Sequence, residues 1–495
     1  MPDHAAMRRK NRGPEGGSFS PALALSLVLG TCSLARAAGL EVPERGARAM
    51  SRGGAATAGI DDPTAVDLNP GALSRLRGGH LHYGHDLLFS HARFTRAESR
   101  IPHDSNAVPV TDPYAPVDAE AVLFPWGVTL AATHDLGTES FTFGLSVYGP
   151  HGAGETRYPV AGGQKYMVTG YDGLILYPGV SVAYGRRNFG FGATVQAAMM
   201  PEIRYRLVVD GLQGGPLNPL ASGSEVEATV TASDPFAPTA ILGAWYRPAP
   251  ELEVAVSGRA VPVFFHADGA LAIANVEGQS AFTESQLELT DSRARFDFTL
   301  PPTARLGVRY RGGVAGDPTA TEVWDVEADV VYEAWSLFDD IRLRLDGDVR
   351  LYGEEPLPDV TLSKRWRDTL SFRLGGSWNV LPERLSLSAG GYWERGAVPV
   401  NYENLDFMSF DRLGLAGGAR LALPAPWAGG LALGFAYSHV FQETRTTTET
   451  YGKIFQHRPL AECPNACEGR SAVPVNAGRF ESSYDQLAVS VTAGF

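Results

Sequence analysis

Beyond residue 38 the sequence has no apolar run of 18 residues, so no segment of the mature chain can cross a bilayer as a helix. It has no surplus of positive charge either. Its 42 basic and 55 acidic side chains leave a formal charge of −13, which excludes the basic footprint of a general nucleic-acid binder. Three cysteines in 495 residues are too few for a disulfide scaffold. No Gly-x-Ser-x-Gly elbow, phosphate loop or His-Glu-x-x-His pair occurs, so nothing points to an enzyme, a cofactor or a catalytic metal. The 56 glycines show no Gly-X-Y period, and 44% hydrophobic residues exclude a disordered chain. A mean hydropathy of −0.10 and 20% charged residues read, taken alone, as a soluble protein.

What is present begins with an address. Arg8, Arg9, Lys10 and Arg12 form a basic region, residues 20–29 a short apolar core, and Ala35-Arg36-Ala37 a small-x-small cleavage pattern. Residues 1–37 are therefore expected to be a secretory signal peptide, with translation starting at Met1 or Met7 and the mature chain at Ala38. Cleavage leaves a charge of about −16 and two cysteines, Cys463 and Cys467. In an exported compartment these are expected to form a local disulfide. A metal site would need two further ligands, and only His457 is close.

The mature chain alternates at period two. Phe189, Phe191, Ala193 and Val195 interleave with Gly190, Gly192 and Thr194; Trp324, Val326, Ala328 and Val330 interleave with Asp325, Glu327 and Asp329. Such an acidic row could face water on a soluble sandwich or line the polar interior of a membrane barrel. The connections separate the two. Short turns, as at 186–188, 248–250, 379–384 and 424–430, alternate with long polar loops near 95–119, 151–170, 210–235, 267–292, 346–364, 396–409 and 445–480. Short inner turns and long outer loops are the layout of an outer-membrane barrel. Fourteen strands are expected, near 79–95, 120–134, 140–150, 171–187, 188–210, 236–247, 250–266, 294–311, 321–345, 365–379, 384–395, 410–423, 430–444 and 481–495. The last ends in Phe495, in the manner of the signal read by the barrel assembly machinery. The fold class is thus all-β: a fourteen-stranded antiparallel transmembrane β-barrel over residues 79–495.

Residues 38–78 lack the strand pattern. Asp61 and Asp62 can cap a turn opened by Pro63, and Asn69-Pro70 breaks it. Because fourteen strands enclose more space than wall side chains fill, this segment is expected to be an N-terminal hatch inside the lumen.

Together these stretches resemble the long-chain fatty acid transporters of Gram-negative outer membranes and their aromatic-hydrocarbon uptake relatives. The resemblance rests on residues 46–52 (GARAMSR), Gly53-Gly54-Ala55, residues 61–65 (DDPTA), Asn69-Pro70-Gly71-Ala72-Leu73, residues 300–310 (LPPTARLGVRY), Val331-Tyr332 with residues 335–338 (WSLF), and residues 366–375. The family pattern is Asn-Pro-Ala where this chain has Gly71, which could alter how tightly the turn packs. The resemblance implies uptake of hydrophobic compounds, long-chain fatty acids foremost: capture at outer loops, an apolar pocket in the lumen, and lateral exit through the wall beside a kinked third strand. Here that strand ends at Gly149-Pro150, which could equally be a plain strand end. The resemblance also makes Arg342 a candidate partner for a carboxylate. Arg204 is a second candidate, and either could be an ordinary lumen arginine paired with an acid. Ala38, Asn69, Pro70 and Gly71 are candidates for coupling the hatch to ligand. A monomer surrounded by outer-membrane lipid is expected, with a general porin, a structural barrel, an aromatic-hydrocarbon uptake channel or a barrel lipid hydrolase as alternatives.

Overall fold

The computed structural model describes residues 45–98, 114–122, 127–149, 155–210, 225–313, 322–350, 355–357, 359–425, 429–455 and 474–495. Fourteen barrel strands run through them, several in two pieces: β1 (Gly79–Arg96), β2 (Val117–Asp118, Glu120–Val122 and Val128–His134), β3 (Phe141–Tyr148, resuming at Glu155–Arg157), β4 (Gly170–Leu176 and Gly179–Arg186), β5 (Phe189–Asp210), β6 (Glu225–Ala249) and β7 (Leu252–Val261 and Val263–Asn275). The second half comprises β8 (Arg293–Leu300 and Thr303–Gly312), β9 (Trp324–Glu333 and Asp340–Leu345), β10 (Val360–Ser363 and Thr369–Leu381), β11 (Leu385–Glu394), β12 (Arg412–Leu423), β13 (Gly430–Gln442) and β14 (Gly478–Gly494).

Each strand pairs antiparallel with its neighbours, and β14 closes on β1 from His80↔Gly494 to Arg96↔Gly478. A closed sheet leaves no edge with unpaired backbone groups, which a lipid environment would not tolerate. The outward face is apolar: Leu145, Val180, Val195 and Leu374 are each more than half exposed. In water, that surface would cost about 25 cal/mol per Å². Lipid removes the cost, so the modest mean hydropathy reflects the other half of each strand. On β3 the alternation is strict, with Phe141, Phe143, Leu145 and Val147 outside and Thr142, Gly144, Ser146 and Tyr148 inside.

The strand count matches the sequence expectation, but two outer ends lie well beyond it. β6 begins at Glu225 rather than near 236, and β7 runs to Asn275 rather than 266. Together with the end of β5 they form one tall panel, with Val226 paired to both Val209 and Asn275. This panel rises above the apolar band. Its outer face carries Thr, Ala, Glu and Asp, so the alternation that marks a spanning strand fades while the hydrogen bonding continues. Several strand breaks fall at prolines, which cannot donate to the ladder: Pro178 in β4, Pro262 in β7, and Pro301-Pro302 in β8.

Residues 45–78 lie inside the barrel. They form α1 (Ala47–Met50), α2 (Ala65–Leu68) and a 3₁₀ turn, Pro70–Arg75. Asp62 Oδ1 accepts from the Thr64 backbone N–H in the turn that leads into α2, while Asn69 Oδ1 accepts from Gly71 N–H with Pro70 at the first position of the 3₁₀ turn.

Candidate functional site

The lumen has two halves with different chemistry. The periplasmic half is charged and holds the N-terminal segment. Alternation on β9 turns Asp325, Glu327 and Asp329 inward, all buried. Arg52, fully buried, donates from Nη1 and Nη2 to the two oxygens of Asp325 at 3.0 and 2.7 Å and from Nη2 to Glu327 at 3.1 Å. Glu327 also accepts from the backbone N–H groups of Ala58 and Gly59, and Asp329 from those of Ala56 and Thr57. Four consecutive amides, Ala56 to Gly59, in a stretch that makes no strand or helix are therefore satisfied by two wall carboxylates. Arg309 of β8 completes the network, bridging Asp325 at 2.8 Å and Glu253 of β7 at 3.1 Å.

Glycines let this segment approach the wall. A Cβ at Gly375 or Gly390 would lie 2.0 or 2.1 Å from the Arg52 carbonyl oxygen. At the other seat, Asn69 Nδ2 donates to the Thr57 carbonyl at 2.7 Å, and the turn presses on β5 and β6. A Cβ on Gly71 would meet the Gly243 carbonyl oxygen at 2.7 Å, so this wall has no room for alanine. Asp67 binds Arg45 and accepts from Tyr148 Oη of β3 at 2.7 Å. Burial pushes the Asp67 carboxyl up, but the Arg45 charge and the Tyr148 hydroxyl outweigh it and hold it below the usual carboxylate range.

The outer half of the lumen is aromatic. Trp335, Phe338 and Trp366 pack with ring centroids 4.6 to 6.0 Å apart, and Phe298 and Phe265 extend the wall across β8 and β7. Part of the connection between β11 and β12 folds down onto this wall, burying Leu405 and Phe410 completely. It is anchored by ion pairs: Asp406 binds Lys364 and accepts from Tyr205 Oη, while Glu403 binds Arg445 at 3.3 Å. Burial, only partly offset by Arg445, pushes the Glu403 carboxyl up to about 7.

A third feature opens through the side. The β3–β4 ladder is interrupted after Ser146↔Gly179, where β4 turns at Tyr177-Pro178; Tyr177 N–H donates to the Tyr148 carbonyl at 2.8 Å, and pairing resumes at Thr156↔Tyr171. Around that point a groove of about 940 Å³ runs along the wall. Its lining includes outward Leu130, Leu145 and Val180 but also inward Ser146, His82 and Gln196. On the lumen side of the interruption, buried Tyr148 and Tyr177 stack at 5.2 Å.

A family model described as "Outer membrane protein transport protein (OMPP1/FadL/TodX)" matches residues 28–458. The chain belongs to this family. The fold agrees with solved structures of a Pseudomonas aeruginosa FadL homologue (16% identity, covering 92% of this chain and 100% of that one, TM-score 0.71) and of the P. putida toluene transporter TodX (17%, 92% and 99%, TM-score 0.64). The Ralstonia pickettii toluene transporter TbuX is a further match (16%, 92% and 99%, TM-score 0.58). No curated protein matches the chain. Membership of the OMPP1/FadL/TodX family and the barrel fold make this an outer-membrane transporter of hydrophobic compounds in a Gram-negative bacterium, from a family of channels rather than enzymes.

Within the family frame, the residues singled out from sequence fall as follows. Asn69, Pro70 and Gly71 sit together at the seat on β5 and β6. Gly149 follows the last residue of the lower piece of β3, and its N–H donates to the Val128 carbonyl. Ala38, Pro150, Cys463 and Cys467 lie outside the described residues. Arg342 and Arg204 do not face the lumen. Arg342 is exposed between inward Ile341 and Leu343, and Arg204 pairs with Glu202 and Asp172 on the side opposite inward Tyr205. Sequence reasoning missed Arg52 as the centre of the contact between the N-terminal segment and the wall, and missed Arg305, although Arg305 shares the parity of Arg309 and Arg311 on β8.

Proposed function

We propose that this protein takes up long-chain fatty acids, which are captured at the outer loops, pass along the aromatic outer half of the lumen, and leave sideways through the groove between β3 and β4. The groove supports this reading, because it lies where the β3–β4 ladder is interrupted and its lining includes Ser146 and Gln196, whose side chains are buried, beside lipid-facing Leu145 and Val180. An apolar chain gains about 25 cal/mol per Å² on leaving water, and a lateral exit delivers it to lipid without crossing an aqueous compartment. The N-terminal segment acts as the hatch, with Ala38, Asn69, Pro70 and Gly71 coupling its movement to the ligand. Its docking across the lower lumen argues against an open general porin.

The protein works as a monomer in outer-membrane lipid. Its β14 is the strand presented to the barrel assembly machinery, with Phe495 pairing to Gly79 and its ring 60% exposed. A second reading, uptake of aromatic hydrocarbons, draws on the toluene transporters among the similar structures and on the ring-lined lumen. The test is binding by the purified, folded full chain in detergent: saturable binding of oleate supports the first reading and saturable binding of toluene alone the second. Free ion conduction without apolar binding contradicts both.

A further inference from the structure

The connection between β11 and β12 has a narrow base and a wide reach. At the base, Glu394 and Arg412 form the last ladder pair, Gly396 N–H donates to Asp411 at 2.9 Å, and Ala397 N–H donates to Ser409 Oγ at 3.1 Å. Beyond this neck, residues 399–408 leave the wall and cross the lumen. Asp406 marks the crossing. Its carboxylate accepts from Tyr205 Oη of β5 at 3.1 Å and pairs with Lys364 at the bend in β10, so one side chain ties strands that have β6 to β9 between them. Phe407 lies between Tyr171 of β4 and Trp366 beside that bend, at 5.7 and 6.4 Å between ring centroids. Tyr158, which follows the outer piece of β3, donates from Oη to the Leu405 carbonyl at 3.4 Å. From the segment that enters β14, Asn476 Nδ2 donates to the carbonyls of Asn401 and Glu403 at 3.1 and 3.0 Å. The tip is thus held from all around the barrel, with Leu405 and Asp406 buried and Val400 facing out.

A segment that fills the mouth must move if anything apolar is to pass from the outer loops to the rings below it. Its contacts suit that movement. What fixes the tip is charge: Asp406 on Lys364, with both side chains buried, and Glu403 on Arg445. A buried ion pair loses in desolvation about what it gains in attraction, so it sets a position while adding little net stability. Closure held in this way is near balance, as a segment that opens requires. Well-packed apolar residues at the same places would hold the closed form at least as firmly.

We propose that residues 399–408 are a lid on the outer mouth, latched shut by Asp406 on Tyr205 and Lys364, and that an apolar ligand enters the aromatic half only when this latch opens. This rests on the hydrophobic-uptake reading and adds the step that precedes the lumen. The test pairs hydrogen exchange of residues 400–408 with the association rate of methyl oleate, a neutral probe, on the purified full chain in detergent. Asp406→Asn leaves Lys364 buried without a carboxylate, so both rates should rise about tenfold or more over wild type. Lys364→Met combined with Asp406→Leu removes both charges, and both rates should return to the wild-type value or fall below it. Tyr205→Phe, which removes the β5 bond alone, should raise both by a smaller factor, and it decides the matter if Asp406→Asn does not fold. Exchange unchanged in these variants would overturn the latch. Faster exchange with an unchanged association rate would overturn the lid as the entry gate. Failure of wild type and every variant to bind methyl oleate would overturn the uptake reading and with it the gate, while the exchange rates still decide the latch.

Discussion

Arg52 of the N-terminal segment and Asp325 of β9 form a two-point ion pair inside the barrel, at 2.7 and 3.0 Å, with both side chains essentially fully buried. The pair joins a segment with little regular structure to a wall made of hydrogen-bonded strands. Removing Arg52 leaves Asp325 with Arg309 alone and takes the ion-pair partner from Glu327, so the cost is expected near or below the lower end of the about 3–5 kcal/mol typical of a broken buried pair. Arg52→Ala is therefore expected to lower the unfolding free energy in detergent by that order. It should also raise leakage of small hydrophilic solutes through liposomes, because the plug loses its central contact. Unfolding titrations and a liposome-swelling assay check the two effects separately.

Gly71→Ala restores the residue of the family pattern but adds a methyl group 2.7 Å from the Gly243 carbonyl oxygen. Either the turn or the wall must shift. Overpacking of this kind costs about 1–3 kcal/mol. A reduced thermal midpoint with unchanged far-ultraviolet circular dichroism is expected, and a midpoint equal to wild type would show that the wall is softer than its geometry suggests.

The loop buried over the aromatic half should respond to pH through Glu403. Its folded value, about 7, lies above the ordinary 4.5, so between these two the folded loop binds more protons than the open one. Closure is then favoured at the acidic end and weakens as pH rises through the window, by on the order of 2–3 kcal/mol. Protease should cut the connection between β11 and β12 faster at pH 8 than at pH 5. Glu403→Gln, which cannot ionise, should flatten that difference.

The N-terminal segment responds in the opposite sense through Asp67. Its carboxyl is held below the ordinary range, so its contribution is present above about pH 4 and is lost as pH falls through the folded value. Strong acid should therefore loosen the segment in wild type more than in Asp67→Asn, which lacks the titration. Hydrogen exchange of residues 45–78 at low pH against neutral pH measures it.

Much of the architecture was legible because a barrel wall enforces period two. The row Asp325, Glu327 and Asp329 set between Trp324, Val326 and Ala328 left only the choice of which face was wet, and the alternating loop lengths decided it. The panel at 225–275 escaped because above the membrane its outer face is free of the apolar requirement. Side-chain direction was harder. Even-numbered residues of β5 face inward up to Met200, but register shifts near Pro201 reverse this, so Tyr205 faces inward and Arg204 outward. A one-residue irregularity reverses every face beyond it. Arg342 needed no such shift: Trp335, Ile341 and Leu343 keep the inward parity of Asp325, so an even-numbered neighbour points out. Counting parity from the acidic row would have placed it, and the same count along β8 would have found Arg305.

The central claim is lateral delivery of an apolar ligand through the groove beside β3. Ser146, inward-facing and buried, lines that groove where β3 and β4 part, away from the aromatic wall. The most direct test is uptake of labelled oleate by cells whose outer membrane carries either wild type or Ser146→Trp, with binding to the purified proteins measured in parallel. The account predicts that the variant binds oleate as wild type does but delivers none. Undiminished delivery by a variant whose groove is filled would contradict it.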